Sequence, residues 1–443
     1  MLINSESNKK YINQIVFLAI PIIIENIFQT LLGTIDTYFA GQLHDNAIAA
    51  IGVTNLIVNI FIAFFTAISV GTSTVIARYI GQKDFNKANL AVKQSLIIGS
   101  GLGVIIGVIS FIFRNQILRV SGATDEVIRY AIPYYTIVVV PSILICLSLI
   151  LSSCLRASKD TKTPMMTTGI SNIVNIILNY IFIKFGMGIA GLALATTISR
   201  LIVVIMLCAK LSRDNGNIKL DFKNFAINKA IMTSIVRVGI PAGIEKLIMR
   251  FGQLVYNGMI ITLGTTAYVA HNIGGTIENY TYIPAFGFAM ATATMVGISL
   301  GENNIQKAKK ITFISDIITT VCMVCIGIGF YIFAPFFASL FTKTPEVQVL
   351  VISVLRLIAF FQPFGALTQI MTSALQGAGD TKFPMYATLI GIWGIRVGIG
   401  YILAVVLNYG LFGVWCAYAL DISVRGVLLL IRFLKGKWQR IEL

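Results

Sequence analysis

Apolar stretches of membrane-spanning length follow one another along almost the whole chain. A helix that crosses a bilayer needs about 20 mostly apolar residues. Twelve stretches meet this requirement, at 12–40, 47–77, 90–113, 127–154, 165–185, 189–210, 232–262, 266–300, 311–335, 347–376, 385–408 and 412–433. The sequence therefore predicts an all-α integral membrane protein with twelve transmembrane helices. With 443 residues, no length remains for a separate soluble domain.

Basic residues are divided unevenly between the segments that connect these spans. One alternating set of connections holds 22 Lys and Arg residues, and the other set holds five. Basic loops are retained on the cytoplasmic side of a membrane. We therefore expect both termini in the cytoplasm and a multi-pass protein of the cell membrane. This asymmetry accounts for a formal net charge of +16, so a nucleic-acid partner is not expected.

The second half of the chain repeats the first at a constant displacement. SSCLRASKDTKTPMM at 152–166 matches TSALQGAGDTKFPMY at 372–386, and the same displacement pairs Pro21 with Pro241. We call this displacement, which takes position 21 to position 241, the repeat offset. A repeat of this length indicates two structurally similar halves of six spans each.

Six is an even number, so both halves enter the membrane from the same side. The sequence thus predicts two six-helix lobes related by a pseudo-two-fold axis along the membrane normal. We expect an N-terminal lobe at 1–210, a cytoplasmic linker at 211–230 and a C-terminal lobe at 231–443. Two such lobes around a shared site are the basis of alternating access, which indicates transport.

Four carboxylates within the spans are candidate functional groups, because charge in hydrocarbon is costly unless it is paired or faces a cavity. They are Glu25, Asp36, Glu245 and Glu278. Glu25 and Asp36 are eleven residues apart, which places them on nearly the same helix face, about 16 Å apart along the axis. For Asp36, we weigh binding of a proton or Na⁺ against a hydrated residue at the membrane rim.

Polar residues on the fifth and sixth spans could complete a cation site. Asn172, Asn175 and Asn179 form a stripe at i, i+3 and i+7. Their amide oxygens suit hard cations, and amides also hold helices together by hydrogen bonds. Thr196 and Thr197 could supply a hydroxyl ligand or bond to their own helix.

The second half offers carboxylates near aromatic side chains. Glu278 precedes Tyr280, Tyr282 and Phe286 on one span, without Lys or Arg between positions 251 and 306. A carboxylate among aromatic rings is suited to lipophilic cations. We expect Glu278 and Glu245 to face the cavity between the lobes and attract cationic substrates.

The alternative for Glu245 is a structural ion pair with Lys246, Arg250 or Arg356. Gly-rich stretches such as GSGLGVIIG at 99–107 follow no strand, and we expect them to let helices approach closely rather than bind nucleotide.

Three segments are distinctive in combination. They are IDTYFAGQLHDNAIAAIGV at 35–53, the paired RASKDTKTPM and QGAGDTKFPM, and PAFGFAMATATMVGISLGENN at 284–304. Together they resemble the multidrug and toxic compound extrusion family. The resemblance covers nearly the whole chain. It implies two six-helix lobes in a V shape that export drugs in exchange for H⁺ or Na⁺, with no cofactor and as a monomer.

The resemblance also assigns candidate residues. It implies that Asp36 is the coupling acid and that Asn175, Asn179 and Thr196 complete a site for H⁺ or Na⁺. Some branches have Asp where Asn179 stands, and the tenth-span acid of one sodium-coupled branch is absent between Val347 and Gln376. A second-lobe cation site of that type is not expected. Glu25, Glu245, Glu278 and Tyr282 are the candidate substrate-binding residues.

The favoured function is therefore a secondary active multidrug antiporter that is not an enzyme. A lipid-linked precursor flippase of the same superfamily is the nearest alternative, and its anionic cargo predicts more Lys and Arg in the central cavity. An integral-membrane transferase is an alternative from another class. It requires clustered carboxylates for Mg²⁺ and diphosphate, and the sequence offers no such cluster.

Overall fold

The computed structural model describes residues 6–43, 45–213, 218–221 and 226–441. Within this part of the chain there are fourteen α-helices and no strand. The helices are α1 Glu6–Gly41, α2 Asp45–Gly81, α3 Phe85–Ile112, α4 Arg114–Val120, α5 Asp125–Val139, α6 Ser142–Ala157, α7 Lys162–Lys184, α8 Gly188–Ser212, α9 Lys229–Ile261, α10 Thr265–Gly301, α11 Ile305–Phe341, α12 Pro345–Gly377, α13 Lys382–Leu389 and α14 Gly410–Leu434.

Among the described residues, ten helical segments are long and apolar enough to cross a bilayer, and they coincide with ten of the twelve predicted spans. The predicted span at 127–154 consists of α5 and α6, which are bent by 43° where Pro141 follows α5. Proline removes a backbone donor and disfavours helix at the preceding residue, which explains the break. The remaining predicted span is α9, which has 33 residues and carries several charged side chains.

The helix boundaries repeat with the sequence. The pairs α2 and α10, α3 and α11, α5 and α12, and α7 and α13 all begin one repeat offset apart. The displacement is longer by two positions at α8 and α14, which are both 25 residues long. Two additional residues therefore lie between Lys382 and Gly410.

The additional residues coincide with a change of helix type. The span that begins with α13 runs from Lys382 to Val406, and two of its stretches, Ile390–Ile399 and Ile402–Val406, are π-helical. A π turn accommodates an extra residue within a helix. Its counterpart in the first half, α7, is a regular α-helix of 23 residues.

The chain divides into two compact units within α1 and α9. The first unit is Ile24–Gly243, and the second is Met1–Ile23 together with Ile244–Leu443. Both division points follow a helix-internal proline by two residues, Pro21 in α1 and Pro241 in α9. The predicted boundary at 211–230 remains a prediction, and residues 214–217 and 222–225 of that segment lie outside the described part.

Close helix packing in the first unit follows the glycine pattern of α3. Gly99, Gly103 and Gly107 are buried, and a Cβ added at Gly103 would lie 2.6 Å from the Cα of Ile143 on α6. The space around Gly101 is open. The structure therefore confirms that this stretch lets helices approach closely.

Candidate functional site

Three helices of the first unit place Asp36 in a buried polar centre. Asp36 Oδ1 accepts a hydrogen bond from Asn179 Nδ2 on α7 at 3.1 Å, and Asp36 Oδ2 accepts one from Thr196 Oγ1 on α8 at 2.8 Å. Asn179 Nδ2 also donates to Asn175 Oδ1 at 3.0 Å. The structure thus brings the four residues of the predicted coupling site together. We call them the Asp36 centre.

The helical spacing explains which amides reach Asp36. Asn175 and Asn179 are four residues apart and therefore lie one above the other on α7. Asn172 belongs to the same predicted stripe, but its Nδ2 donates to the backbone oxygen of Phe28 at 2.7 Å and thus joins α7 to α1. Thr197 donates to the oxygen of Ile137 on α5 at 2.8 Å. Asn172 and Thr197 therefore hold helices together.

The sequence analysis missed two members of this region. Arg200, one turn after Thr196 on α8, interacts electrostatically with Asp36, and Tyr134 on α5 lies beside Thr196. Arg200 could have been found from the sequence by asking which basic residues lie within the spans and not in the connections between them. There are seven of them, namely Arg200, Arg237, Lys246, Arg250, Arg356, Arg396 and Arg425.

The Asp36 centre has the chemistry to accept a proton or a small hard cation. Asp36 is hydrogen-bonded to neutral donors, and the buried Asn179 Oδ1 has no hydrogen-bond partner among the residues that the structure describes. A carboxylate and amide oxygens are hard ligands. A carboxylate in this surrounding gains from any positive charge that it can bind.

Glu25 lies in the same unit in a buried ion pair. Arg156 Nη1 on α6 donates to Glu25 Oε1 at 3.0 Å and to Oε2 at 3.1 Å, and Arg156 Nη2 donates to Ser153 Oγ at 3.2 Å. The sequence analysis did not foresee this partner. Because a guanidinium already neutralises Glu25, its predicted role in substrate binding receives no support from the geometry.

Glu245, the repeat counterpart of Glu25, is held by neutral donors in the second unit. Gln376 Nε2 donates to Glu245 Oε2 at 2.9 Å, and Thr388 Oγ1 donates to Oε1 at 3.4 Å. Among the described residues, none of the basic side chains considered as its partner, Lys246, Arg250 or Arg356, forms a salt bridge with it. In place of the ion pair considered as the alternative for Glu245, the structure has an amide and a hydroxyl as its partners.

Glu278 is buried within the second unit among tyrosines. It lies beside the Tyr418 hydroxyl and interacts electrostatically with Arg396. The hydroxyls of Tyr282 and Tyr418 are 3.2 Å apart. The sequence analysis considered basic partners only between positions 251 and 306, and therefore missed Arg396, which comes from the span that begins with α13. That Glu278 faces a cavity between the lobes stays a prediction.

Each unit also has an exposed cleft, on α1 and α2 in the first unit and on α9 and the span that begins with α13 in the second. In the first unit a cleft of about 560 Å³ is lined by Thr30, Gly33, Thr34, Thr37, Tyr38 and Asn55. In the second unit a cleft of about 470 Å³ is apolar and is lined by Ile244, Leu247, Ile248, Phe251, Leu254, Val255, Leu389 and Trp393.

Comparison with known proteins agrees with this architecture. The MatE family model matches the chain twice, at residues 21–181 and 241–402, and the two matches begin one repeat offset apart. The chain is similar to a probable multidrug resistance protein NorM of Thermotoga maritima, with 29% identity over 96% of the chain and 93% of that protein. It is also similar to the multidrug export protein MepA of Staphylococcus haemolyticus, with 26% identity over 89% of the chain and 87% of that protein.

Solved structures agree in fold over nearly the whole length. A crystal structure of MATE in the bent conformation superimposes with a TM-score of 0.90 at 27% identity, covering 96% of this chain and 95% of the other. An outward-facing multidrug resistance MATE family transporter of the MOP superfamily gives a TM-score of 0.90 at 26% identity, covering 97% and 96%. The predicted all-α fold of twelve spans in two six-helix lobes is thus confirmed. The chain belongs to the MatE family, the multidrug and toxic compound extrusion transporters.

Proposed function

We propose that this transporter is a secondary active antiporter that exports amphipathic, often cationic compounds in exchange for H⁺ or Na⁺. It acts as a monomer in the cell membrane, with both termini in the cytoplasm, and catalyses no covalent reaction. Its similarity to proteins named for multidrug resistance supports drugs as the exported molecules.

The observation that carries this proposal is the Asp36 centre. Asp36 is buried in a membrane-spanning helix, and among the described residues its hydrogen-bond donors are the neutral side chains of Asn179 and Thr196. Such a carboxylate is most stable when it holds a proton or a cation, and it can release that charge when the site opens to the other side. Exchange of that charge for a drug gives antiport.

Coupled exchange requires that binding of the ion and binding of the drug influence each other. An antiporter must return with one ligand when it has released the other, so the coupling ion and the drug must favour opposite orientations. We assign Asp36, Asn175, Asn179 and Thr196 to the coupling ion. Alternating exposure of the binding sites to the two sides of the membrane is the role of the two lobes.

For the exported compound, we assign the apolar cleft and the acids of the second unit. The apolar cleft of the second unit offers contact for a lipophilic body, and Glu245, Glu278 and Tyr282 supply attraction for a cation. Glu25 contributes less, because Arg156 neutralises it.

The alternative of a flippase for lipid-linked precursors depends on basic residues that remain available to an anionic cargo. Arg396 and Arg425 are buried, but both share the carboxylate of Asp421. Paired guanidinium groups are poor receptors for a further anion, so this arrangement favours the drug antiporter.

Efflux from proteoliposomes tests the proposal. Ethidium transport is measured under an imposed pH gradient and, separately, under an imposed Na⁺ gradient, with wild-type protein and Asp36→Asn. We expect one of the two gradients to drive ethidium against its own gradient in wild type only. Uphill transport by Asp36→Asn at the wild-type rate would show that Asp36 does not couple transport.

A further inference from the structure

The second unit contains a buried centre at the positions that correspond to the Asp36 centre. The repeat offset takes Asp36 to Tyr256, and the longer displacement that relates α8 to α14 takes Thr196 to Tyr418. Asn175 maps to a position between Ile395 and Val397, since the displacement lengthens by two positions within this span. The residue between them is Arg396.

Arg396 lies against both of the other counterparts. The Arg396 guanidinium lies 4.2 Å from the ring centroid of Tyr418 and 5.9 Å from that of Tyr256. We call Tyr256, Arg396 and Tyr418, with the acid Asp421, the Arg396 centre. It has an arginine between two aromatic faces where the first unit has amides around a carboxylate.

The π-helical stretch of the span that begins with α13 accounts for the inward position of Arg396. Both π segments lie in the span that is two residues longer than α7, and Arg396 is within the first of them. Each inserted residue shifts the following side chains around the helix axis. Arg396 is therefore buried although it lies in an apolar span.

Arg396 is held by a direct ion pair. Its Nη2 and Nε lie 2.6 Å and 2.9 Å from Asp421 Oδ2, and Arg425 Nη2 lies 3.1 Å from the same oxygen. Glu278 also interacts electrostatically with Arg396, and within the described part of the chain its Oε1 has no hydrogen-bond partner. With both carboxylates ionised, Glu278, Asp421, Arg396 and Arg425 carry no net charge.

The two centres thus differ in how the acid is neutralised. In the first unit, no basic nitrogen forms a salt bridge with Asp36 among the described residues, and Arg200 acts on it only at longer range. In the second unit, the guanidinium of Arg396 neutralises Asp421 directly. Because this cation is part of the chain, no net negative charge remains at this centre for a mobile ion to balance.

We propose that Arg396 is a fixed internal cation that replaces a mobile coupling ion in the second unit, so that one ion is exchanged per cycle through the Asp36 centre alone. This inference rests on the proposed antiport function. It extends that function by assigning a stoichiometry and by giving the second unit a polar centre of constant charge.

Ion binding tests the inference without requiring drug export. Purified protein is equilibrated with radioactive sodium if Na⁺ drives transport. If H⁺ drives it, proton release into weakly buffered solution is measured when tetraphenylphosphonium is added. We expect about one ion per wild-type protein and none for Asp36→Asn. A sodium or proton count of two in wild type, or of one in Asp36→Asn, would overturn the proposal even if Arg396 variants fail to fold.

Charge-balanced variants then test Arg396 itself. Arg396→Gln leaves the cluster with a net charge of −1, so we expect the count of bound ions to rise from one to two. Arg396→Gln combined with Glu278→Gln restores neutrality, and the count should return to one. Arg250→Gln removes an exposed arginine on α9 as a matched control and should leave one ion.

The outcomes separate this inference from the proposed function. If wild type binds one ion at Asp36 but exports no drug, the antiport proposal fails and the assignment of the ion site stands. If Arg396→Gln is folded and still binds a single ion, Arg396 has a structural role and the inference is wrong. Rescue of the count by the double variant is an effect that loss of packing cannot produce.

Discussion

Arg156 Nη1 bridges both carboxylate oxygens of Glu25, at 3.0 and 3.1 Å, within the first unit. The repeat offset takes this pair to Gln376 and Glu245, which are also hydrogen-bonded, at 2.9 Å. Both acids are buried. The repeated fold has therefore kept the contact while the charge of one partner has been lost in the second unit.

The pair Glu25 and Arg156 should contribute strongly to stability. Removing one partner of a buried ion pair leaves an uncompensated charge, which costs about 3–5 kcal/mol. We expect Arg156→Leu to lower the free energy of unfolding by about this amount. The change should appear as a lower midpoint temperature of thermal unfolding in detergent. Arg156→Gln copies the arrangement of the second unit and retains a donor, so it should cost less. Equal losses for the two variants would contradict the role of the donor.

Two adjacent threonines on α8 should behave differently. Thr196 donates to Asp36, whereas Thr197 donates to a backbone oxygen of α5. A hydrogen bond to a charged group contributes about 1.5–3 kcal/mol. This hydrogen bond stabilises the ion-free carboxylate. We therefore expect Thr196→Val to tighten binding of H⁺ about tenfold or more, or to weaken binding of Na⁺ because a hydroxyl oxygen is lost. Either change shifts the ion concentration for half-maximal efflux. Thr197→Val should leave that concentration unchanged, and equal shifts would argue against the assigned site.

The glycines of α3 offer a matched pair for helix packing. Gly103→Ala places a Cβ 2.6 Å from the Cα of Ile143, and overpacking of this kind costs about 1–3 kcal/mol. Gly101→Ala enters open space on the same helix. We expect only Gly103→Ala to reduce the unfolding midpoint in detergent, and a reduction of similar size for Gly101→Ala would exclude packing as the cause.

Accessibility in intact cells tests the predicted orientation. Single cysteines are introduced into a variant without the native cysteines. Two of them replace Ser121 or Thr344, which lie in connections that are poor in basic residues. The other two replace Lys219 or Gly436, which lie in connections that are rich in basic residues. The positive-inside rule places the first two outside the cell. An impermeant thiol reagent should label them and leave the other two unlabelled. The opposite pattern would invert the topology.

Glu278 should influence cationic substrates more than neutral ones. Glu278→Gln removes a negative charge beside Tyr418 and Arg396 and so makes its surroundings more positive. We expect binding of ethidium, a permanent cation, to weaken about tenfold, which corresponds to about 1.4 kcal/mol. A neutral lipophilic substrate measured in the same protein serves as the control. Equal losses for both substrates would indicate general damage.

The sequence by itself determined the number and approximate position of the spans, because membrane insertion depends on the local run of apolar residues. It also determined the repeat, and most helix starts follow the repeat offset. The family resemblance implied that Asp36, Asn175, Asn179 and Thr196 form one site, and the structure brings them into contact. The α-helical period of about 3.6 positions per turn predicted only that Asn175 and Asn179 share a helix face.

Only the tertiary structure decided which partner each buried charge has. Glu25 and Glu245 occupy equivalent sequence positions, yet α6 supplies an arginine to one and α12 supplies an amide to the other. Arg396 could not be placed from its sequence, because the π-helical stretch around it departs from the regular period and changes the direction of its side chain. Its pairing with Asp421 comes from packing against α14, which local sequence does not encode.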